Sequence, residues 1–381
     1  MERWITPDRL FDGQKLLSGA SLRVKDGRIA EVREEGAPDT ASETKVNGTV
    51  TPGFIDLQVN GGGDVMLNAD PSRAGMQTIV AAHRKFGTVG ILPTVITDRA
   101  EVVDQAVDAA IEAKGDQGIL GLHIEGPHIA PVRRGTHLER FVRPMDERTM
   151  KAVAKLRHAD IAVMITLAPD AVSCEDIAVL SDMGAVVSIG HTDATAEQIE
   201  AAIKAGARCA THLFNAMSPM VGRAPGAVGG VINSDLYSGI ICDGYHVADA
   251  MVGLAIRARP TRGRMFLVSD AMATVGGSDH FSLYGDTIYL KDGRLVNAEG
   301  SLAGAHVTQA EGVKRLVEKV KIPLDQALQM ATSVPAACMG LTDVGQLQGR
   351  NIEDVILLSE QLEYVGALDA QIAVQPSKHD A

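Results

Sequence analysis

Apolar and polar positions change rhythm along the chain. From Ser21 to Val32 two alternating runs flank Asp26-Gly27, a two-residue turn signal, and predict a β-hairpin. Pro38 to Asn47 is polar and reads as a loop. From Thr51 onward the alternation gives way to short apolar runs separated by stretches with apolar residues three and four apart. Ile91 to Ile96 reads as a strand and Arg99 to Ala113 as a helix. Further strands are predicted at Gly118–Ile124, Ile161–Leu167, Ala185–Ile189, Arg208–His212, Gly239–Cys242 and Met265–Val268. Helices are predicted between them, at Asp146–Arg157, Cys174–Met183, Ala196–Ala205 and Val247–Ala258. Nearly continuous apolar strands alternating with helices indicate an α/β chain whose parallel sheet is covered on both faces. About eight such repeats favour a closed (β/α)₈ TIM-like barrel over an open doubly wound sheet.

Past the barrel repeats, His306–Val320 and Leu324–Met330 read as helices, and Asp354–Leu358 and Tyr364–Leu368 as strands. Gly285 to Leu295 carries a second hairpin signal, Asp292-Gly293. The two chain ends are expected to build a small β-sandwich. The expected division is 1–50 and 346–381 in that small domain and 51–345 in the barrel, with Gln375 to Ala381 a frayed tail.

Composition narrows the class. Of the 381 residues, 45% are hydrophobic and 22% charged, the balance of a globular domain, while only 3% are aromatic, so aliphatic side chains must build the core. No apolar run has membrane-span length, and the charged start Met1-Glu2-Arg3-Trp4 lacks a secretory pattern, so a cytoplasmic protein is expected. A net charge of −12 disfavours nucleic acid and anionic membranes, yet a local Arg can still bind one phosphate. Cys174, Cys209, Cys242 and Cys338 are scattered and read as buried free thiols.

In a parallel barrel, reactive groups sit where strands end. Four polar residues fall there: Glu125 after Leu120–Ile124, His191 after Val186–Ile189, His212 after Cys209–Thr211, and Asp270 after Met265–Val268. One Glu and two His make an N/O set suited to Zn²⁺, and three protein ligands leave a fourth position for water, as in catalytic sites. An Asp beside that water can take its proton. Singly, each has a plainer reading, a satisfied polar group or a helix N-cap. Their joint placement on four strand ends favours a metal site.

The segment from Thr51 to Gly61, with Pro52-Gly53-Phe54-Ile55-Asp56, resembles the first-strand motif of the amidohydrolase superfamily. Within it the chain is similar, over nearly its whole length, to the N-acetylglucosamine-6-phosphate deacetylases. The resemblance is carried by Gly121-Leu122-His123-Ile124-Glu125-Gly126-Pro127, Gly135-Thr136-His137, Gly190-His191-Thr192, Thr211-His212-Leu213-Phe214-Asn215-Ala216-Met217, Asp243-Gly244-Tyr245-His246 and Val268-Ser269-Asp270-Ala271. It implies hydrolysis of an N-acetylated amino-sugar 6-phosphate, in amino-sugar catabolism or recycling, with a metal-held water as nucleophile. Glu125, His191 and His212 are implied as metal ligands, Asp270 as general base and later acid, and His137 as a contact to the reacting acetamide. Thr136, Asn215, Ala216 and His246 are implied at the sugar phosphate, and Leu302, Ala303 and Gly304 in a loop lining it. Arg223 is implied to reach the phosphate across a homodimer interface.

Many superfamily members carry His-x-His on strand one, where this chain has Gln58 and Asn60. Neutral amides hold divalent metals weakly, so one Zn²⁺ per chain is expected rather than two. Of the other histidines, His83 and His158 read as surface or half-buried and His379 as part of the tail. His123 is expected on the same strand face as Glu125, and His128, His280 and His306 near site loops. Gly61-Gly62-Gly63 lacks the Lys-Ser/Thr of a phosphate loop and reads as close backbone packing. Alternatives are a deacetylase for another N-acetylated sugar phosphate, a cyclic-amide hydrolase, or a non-catalytic sugar-phosphate sensor.

Overall fold

The computed structural model describes residues 2–297, 300 and 302–373, and the expected tail Gln375–Ala381 with His379 lies outside them. Eight strands, β1 (Phe54–Val59), β2 (Thr88–Ile96), β3 (Gly121–Glu125), β4 (Ala162–Leu167), β5 (Val186–Ile189), β6 (Cys209–Ala210), β7 (Tyr237–Ile240) and β8 (Met265–Leu267), lie side by side in chain order. Each neighbouring pair is parallel. The ring closes just past β8: Asn60 and Gly61 amides donate to the Ala271 carbonyl, and the Asp270 amide to the Gln58 carbonyl. This is the (β/α)₈ barrel anticipated from the repeats.

Helices cover the outside. Ala196–Lys204 opens on a capping box between Thr195 and Gln198, and Glu147–His158 on the Asp146 side chain. Outward strand residues such as Val163, Ile165, Val187 and Ile189 join the helices in one large cluster. Leu57, Leu92, Met164 and Phe266 instead fill the barrel interior toward the strand starts, with Ala336 and Cys338 of helix Ser333–Met339 beneath. Burying one such aliphatic side chain stabilises by roughly 1.5–3 kcal/mol, and here it also leaves only the opposite end of the barrel for polar groups.

The two chain ends build the small β domain. Its seven-stranded sheet runs Tyr364–Ala367, Val355–Leu358, Glu43–Pro52, Glu2–Phe11, Ser21–Lys25, Arg28–Arg33, with Leu16–Ser18 also on Glu2–Phe11. Ile5, Leu22, Val50, Leu357 and Leu368 form its core. The predicted Asp26-Gly27 turn forms, with φ of 51° and 75°. The Asp292-Gly293 hairpin also forms, within a three-stranded sheet (His280–Leu283, Asp286–Lys291, Arg294–Val296) packed on Met66, Ile96 and Met272 of the barrel mouth.

Four expectations need correction. Pro38–Asn47 is not all loop, because Glu43–Pro52 is one strand whose outward Glu43 and Asn47 mask the buried Val46. Tyr364–Leu368 stops short as a strand, and Leu368 starts a helix instead. His83 is buried, its Nε2 bonded 3.0 Å from the Gly61 carbonyl, since helix Arg73–Arg84 turns that face to the barrel. Cys174 is exposed at the start of helix Cys174–Asp182, while the other three cysteines are buried and free. No helix among the described residues is long and apolar enough to cross a membrane.

Candidate active site

The strand ends bring the predicted residues to one place because the chain turns sharply there. His191, His212 and Asp270 have φ of 49°, 27° and 51°, left-handed values that cost non-glycine residues about 1–3 kcal/mol. That turn also explains why β6 stops at Ala210 rather than continuing to His212. Gly190 permits it at His191, since a Cβ there would stand 2.8 Å from the Thr166 side chain.

Glu125 Oε1 lies 3.1 Å from His191 Nε2 and 3.0 Å from His212 Nε2, and the two nitrogens are 3.1 Å apart. All three residues are buried. Burial opposes charge on Glu125, but its hydrogen bonds to His191 and His212 outweigh it and hold the carboxyl well below its ordinary range. Burial likewise opposes charge on His212, and Glu125 raises it past its ordinary value. His191 Nδ1 sits 2.9 Å from the Arg133 carbonyl. A carbonyl only accepts, so Nδ1 carries a proton, and Nε2, which shares a proton with Glu125 when no cation is present, is the nitrogen that would turn its lone pair to a cation. Three electron-rich atoms crowded within 4.8 Å fit a divalent cation.

Asp270 stands beside this cluster, half-buried. Gln58 Nε2 bridges Glu125 Oε1 at 3.0 Å and Asp270 Oδ1 at 3.1 Å, and Asn60 Nδ2 donates to the same Oδ1 at 2.7 Å. The two amides on strand one therefore position carboxylates. Burial, then the Glu125 charge, pushes the Asp270 carboxyl up to about 6. The His137 ring lies 4.4 Å from that of His191, and burial followed by the charge of His191 lowers it to about 3, keeping it neutral.

The remaining candidates lie on segments joined to these residues, with one exception. Thr136 is half-buried on the same loop as His137, and a Cβ on Gly135 would stand 3.6 Å from His191 Cε1. Asn215 Nδ2 donates to the His212 carbonyl, and the Ala216 carbonyl accepts from Thr192. His246 pairs with Asp243 at 2.6 Å and is near enough for its charge to act on Asp270. Leu302, Ala303 and Gly304 lead into Ala305, whose amide donates to the Asp270 carbonyl. Arg223 is apart: it is exposed on the turn Val221–Ala224, with no hydrogen-bond or ion-pair partner among the described residues.

His123 does share the interior with Glu125, its Nδ1 donating to the Leu57 carbonyl and its Nε2 accepting from Thr166 Oγ1 at 2.7 Å. His128 is buried against Arg143 and Thr149, His280 is exposed over Tyr289, and His306 meets Thr274. Gly61 packs closely as expected, a Cβ there standing 2.5 Å from the Val65 carbonyl oxygen. Sequence reasoning missed Thr97, whose hydroxyl lies 2.6 Å from His137 Nδ1. It directly follows β2, so the strand-end rule that found Glu125, His191 and His212 reaches it too.

Comparison with known proteins agrees with this geometry. Residues 49–373 match the amidohydrolase family model. The chain is 38% identical to an N-acetylgalactosamine-6-phosphate deacetylase of a Shewanella species, over 92% of each chain. It is 33% identical to an N-acetylglucosamine-6-phosphate deacetylase of Haemophilus influenzae, over 89% of this chain and 91% of that one. The crystal structure of N-acetylglucosamine-6-phosphate deacetylase from Pasteurella multocida superposes with a TM-score of 0.88 at 33% identity, over 96% and 97% of the two chains. The chain therefore belongs to the amidohydrolase family, and its relatives within that family are deacetylases of N-acetylated amino-sugar 6-phosphates.

Proposed function

We propose that the chain is a metal-dependent deacetylase that hydrolyses N-acetyl-D-glucosamine 6-phosphate to D-glucosamine 6-phosphate and acetate. The observation that carries this reading is the buried cluster of Glu125, His191 and His212 with the Asp270 carboxylate held beside it by Gln58 and Asn60. A single divalent ion held by that cluster, Zn²⁺ by the chemistry of the donors, supplies a Lewis acid that polarises a carbonyl and acidifies a water. Asp270 takes the proton of the attacking water. Both amide donors occupy its Oδ1, which leaves Oδ2 for that proton. His137, neutral and beside His191, donates to the acetamide oxygen as charge develops there. Asp270 then returns the proton to the leaving nitrogen.

Thr136, Asn215, Ala216, His246 and the segment Leu302 to Gly304 surround the sugar phosphate in this reading. A net charge of −12 disfavours nucleic acid as a partner, and in this reading the enzyme works in the cytoplasm with other small-molecule metabolism.

A second reading, a preference for the galacto epimer, is favoured by the 38% identity to the Shewanella enzyme. Acetate release from the 6-phosphates of N-acetylglucosamine, N-acetylgalactosamine and N-acetylmannosamine separates the two. The gluco compound is expected to give the highest kcat/KM. A higher value for the galacto compound would move the substrate to the second reading, and no acetate from any of them would refute deacetylation.

Arg223 extends the proposal to assembly. A sugar phosphate is a dianion near neutral pH, and a guanidinium offers it a bidentate fork. An exposed Arg223 without a partner among the described residues is suited to completing the site of a second copy in a homodimer. Arg223→Ala is expected to raise KM for the phosphorylated substrate far more than for free N-acetylglucosamine. Mixing Arg223→Ala with Asp270→Asn subunits should restore part of the activity, because one site of each mixed dimer keeps both groups. No recovery, with subunit exchange demonstrated, would place Arg223 outside the neighbour's site.

A further inference from the structure

Thr97 is fully buried one residue beyond β2. Its carbonyl accepts from the Tyr284 hydroxyl at 2.6 Å, so the three-stranded sheet over the barrel mouth holds it in place. Its own hydroxyl lies 2.6 Å from His137 Nδ1 and 3.4 Å from the Glu125 carbonyl oxygen. The position is closely confined, because a Cβ on Gly126 would fall 2.2 Å from Thr97 Oγ1. The His137 ring makes no other hydrogen bond among the described residues.

The two distances favour one direction for this bond. The hydroxyl has one proton and two acceptors within reach. Given to the Glu125 carbonyl at 3.4 Å, beyond the usual O–H···O range of about 2.5–3.0 Å, the hydroxyl proton makes a weak bond, whereas given to His137 Nδ1 at 2.6 Å it makes a short one. We propose that Thr97 is a positioning residue whose hydroxyl donates to His137 Nδ1 and so fixes the tautomer that carries the proton on Nε2.

Two consequences follow from that tautomer. His137 presents an N–H to the acetamide oxygen, and it has no Nε2 lone pair to offer a cation although its ring is 4.4 Å from that of His191. His191 is set the opposite way. Its Nδ1 faces a carbonyl, which forces the proton onto Nδ1 and frees Nε2 as a ligand. Two neighbouring imidazoles are thus given opposite roles by one acceptor and one donor. The inference rests on the proposed role of His137 in polarising the substrate.

The test begins with unaltered protein. In ¹⁵N-histidine-labelled chain, with His137 assigned by its loss in His137→Asn, the long-range ¹H–¹⁵N pattern should be that of the Nε2–H tautomer. An Nδ1–H pattern would overturn the proposal. Thr97→Val, which keeps the shape and removes the hydroxyl, should lose the fixed tautomer and lower kcat roughly 10- to 100-fold with KM little changed. Thr97→Ser should restore both. In Co²⁺-loaded Thr97→Val the visible spectrum should shift as His137 gains access to the metal. Wild-type kcat and spectrum in Thr97→Val would also overturn the proposal. If His137→Asn itself leaves kcat unchanged while the tautomer is as stated, the catalytic role of His137 fails and the role of Thr97 stands.

Discussion

Asp270→Asn is expected to lower turnover by roughly 100- to 10,000-fold, the range for loss of a general base, with metal content unchanged. The substitution keeps shape and one carbonyl oxygen, so Gln58 and Asn60 retain an acceptor at the position of Oδ1. What is lost is the oxygen that takes a proton. Burial and the Glu125 charge raise the Asp270 carboxyl to about 6, while a cation on the cluster acts in the opposite direction. The base is ionised above its pKa, so wild-type turnover should fall as pH drops through a value at or below about 6. That acid limb should vanish in Asp270→Asn. Wild-type-like turnover in the variant would exclude Asp270 as the base.

His191→Asn should remove both metal and activity. Wild-type protein purified without chelator is expected to hold about one divalent ion per chain, because Gln58 and Asn60 use their amide nitrogens on carboxylates. Loss of one donor from a three-residue site leaves only Glu125 and His212, and it also cuts the anchor from ring 191 to the Arg133 carbonyl. Metal binding stabilises the folded state by about 2.7 kcal/mol when free metal is one hundred times Kd. Wild-type Tm should therefore fall on chelation, whereas the Tm of His191→Asn should not change. Two ions per chain in the wild type, or full metal and turnover in the variant, would count against the assignment.

The clustered residues were legible because a parallel barrel brings its strand ends together, a rule that needs only strand positions. Glu125, His191, His212 and Asp270 all came from it. Strand extents were less legible. Gly118, with φ of 84°, delays β3 to Gly121, and the left-handed His212 cuts β6 to two residues. Hydrophobicity at these positions is unchanged by such turns, so no pattern of apolar residues reports them. His83 was misjudged for a related reason, since the burial of a helix face depends on what lies opposite, here the Gly61 carbonyl. The partnership of Thr97 with His137 spans forty residues and depends on how one loop crosses two strand ends. The Asp-Gly turns were read correctly because their geometry is local.

The seam of the barrel has a consequence for how activity appears in time. Gln58 and Asn60 meet Asp270 across sequence separations of 212 and 210 residues, at the place where the ring closes. Contacts so distant in the chain carry the largest loop-closure cost. A partly folded chain with β1 to β7 assembled would have every proposed metal ligand but not the proposed base. During refolding, recovery of turnover should therefore lag behind metal uptake, and the interval between them times the closing of the last strand against the first.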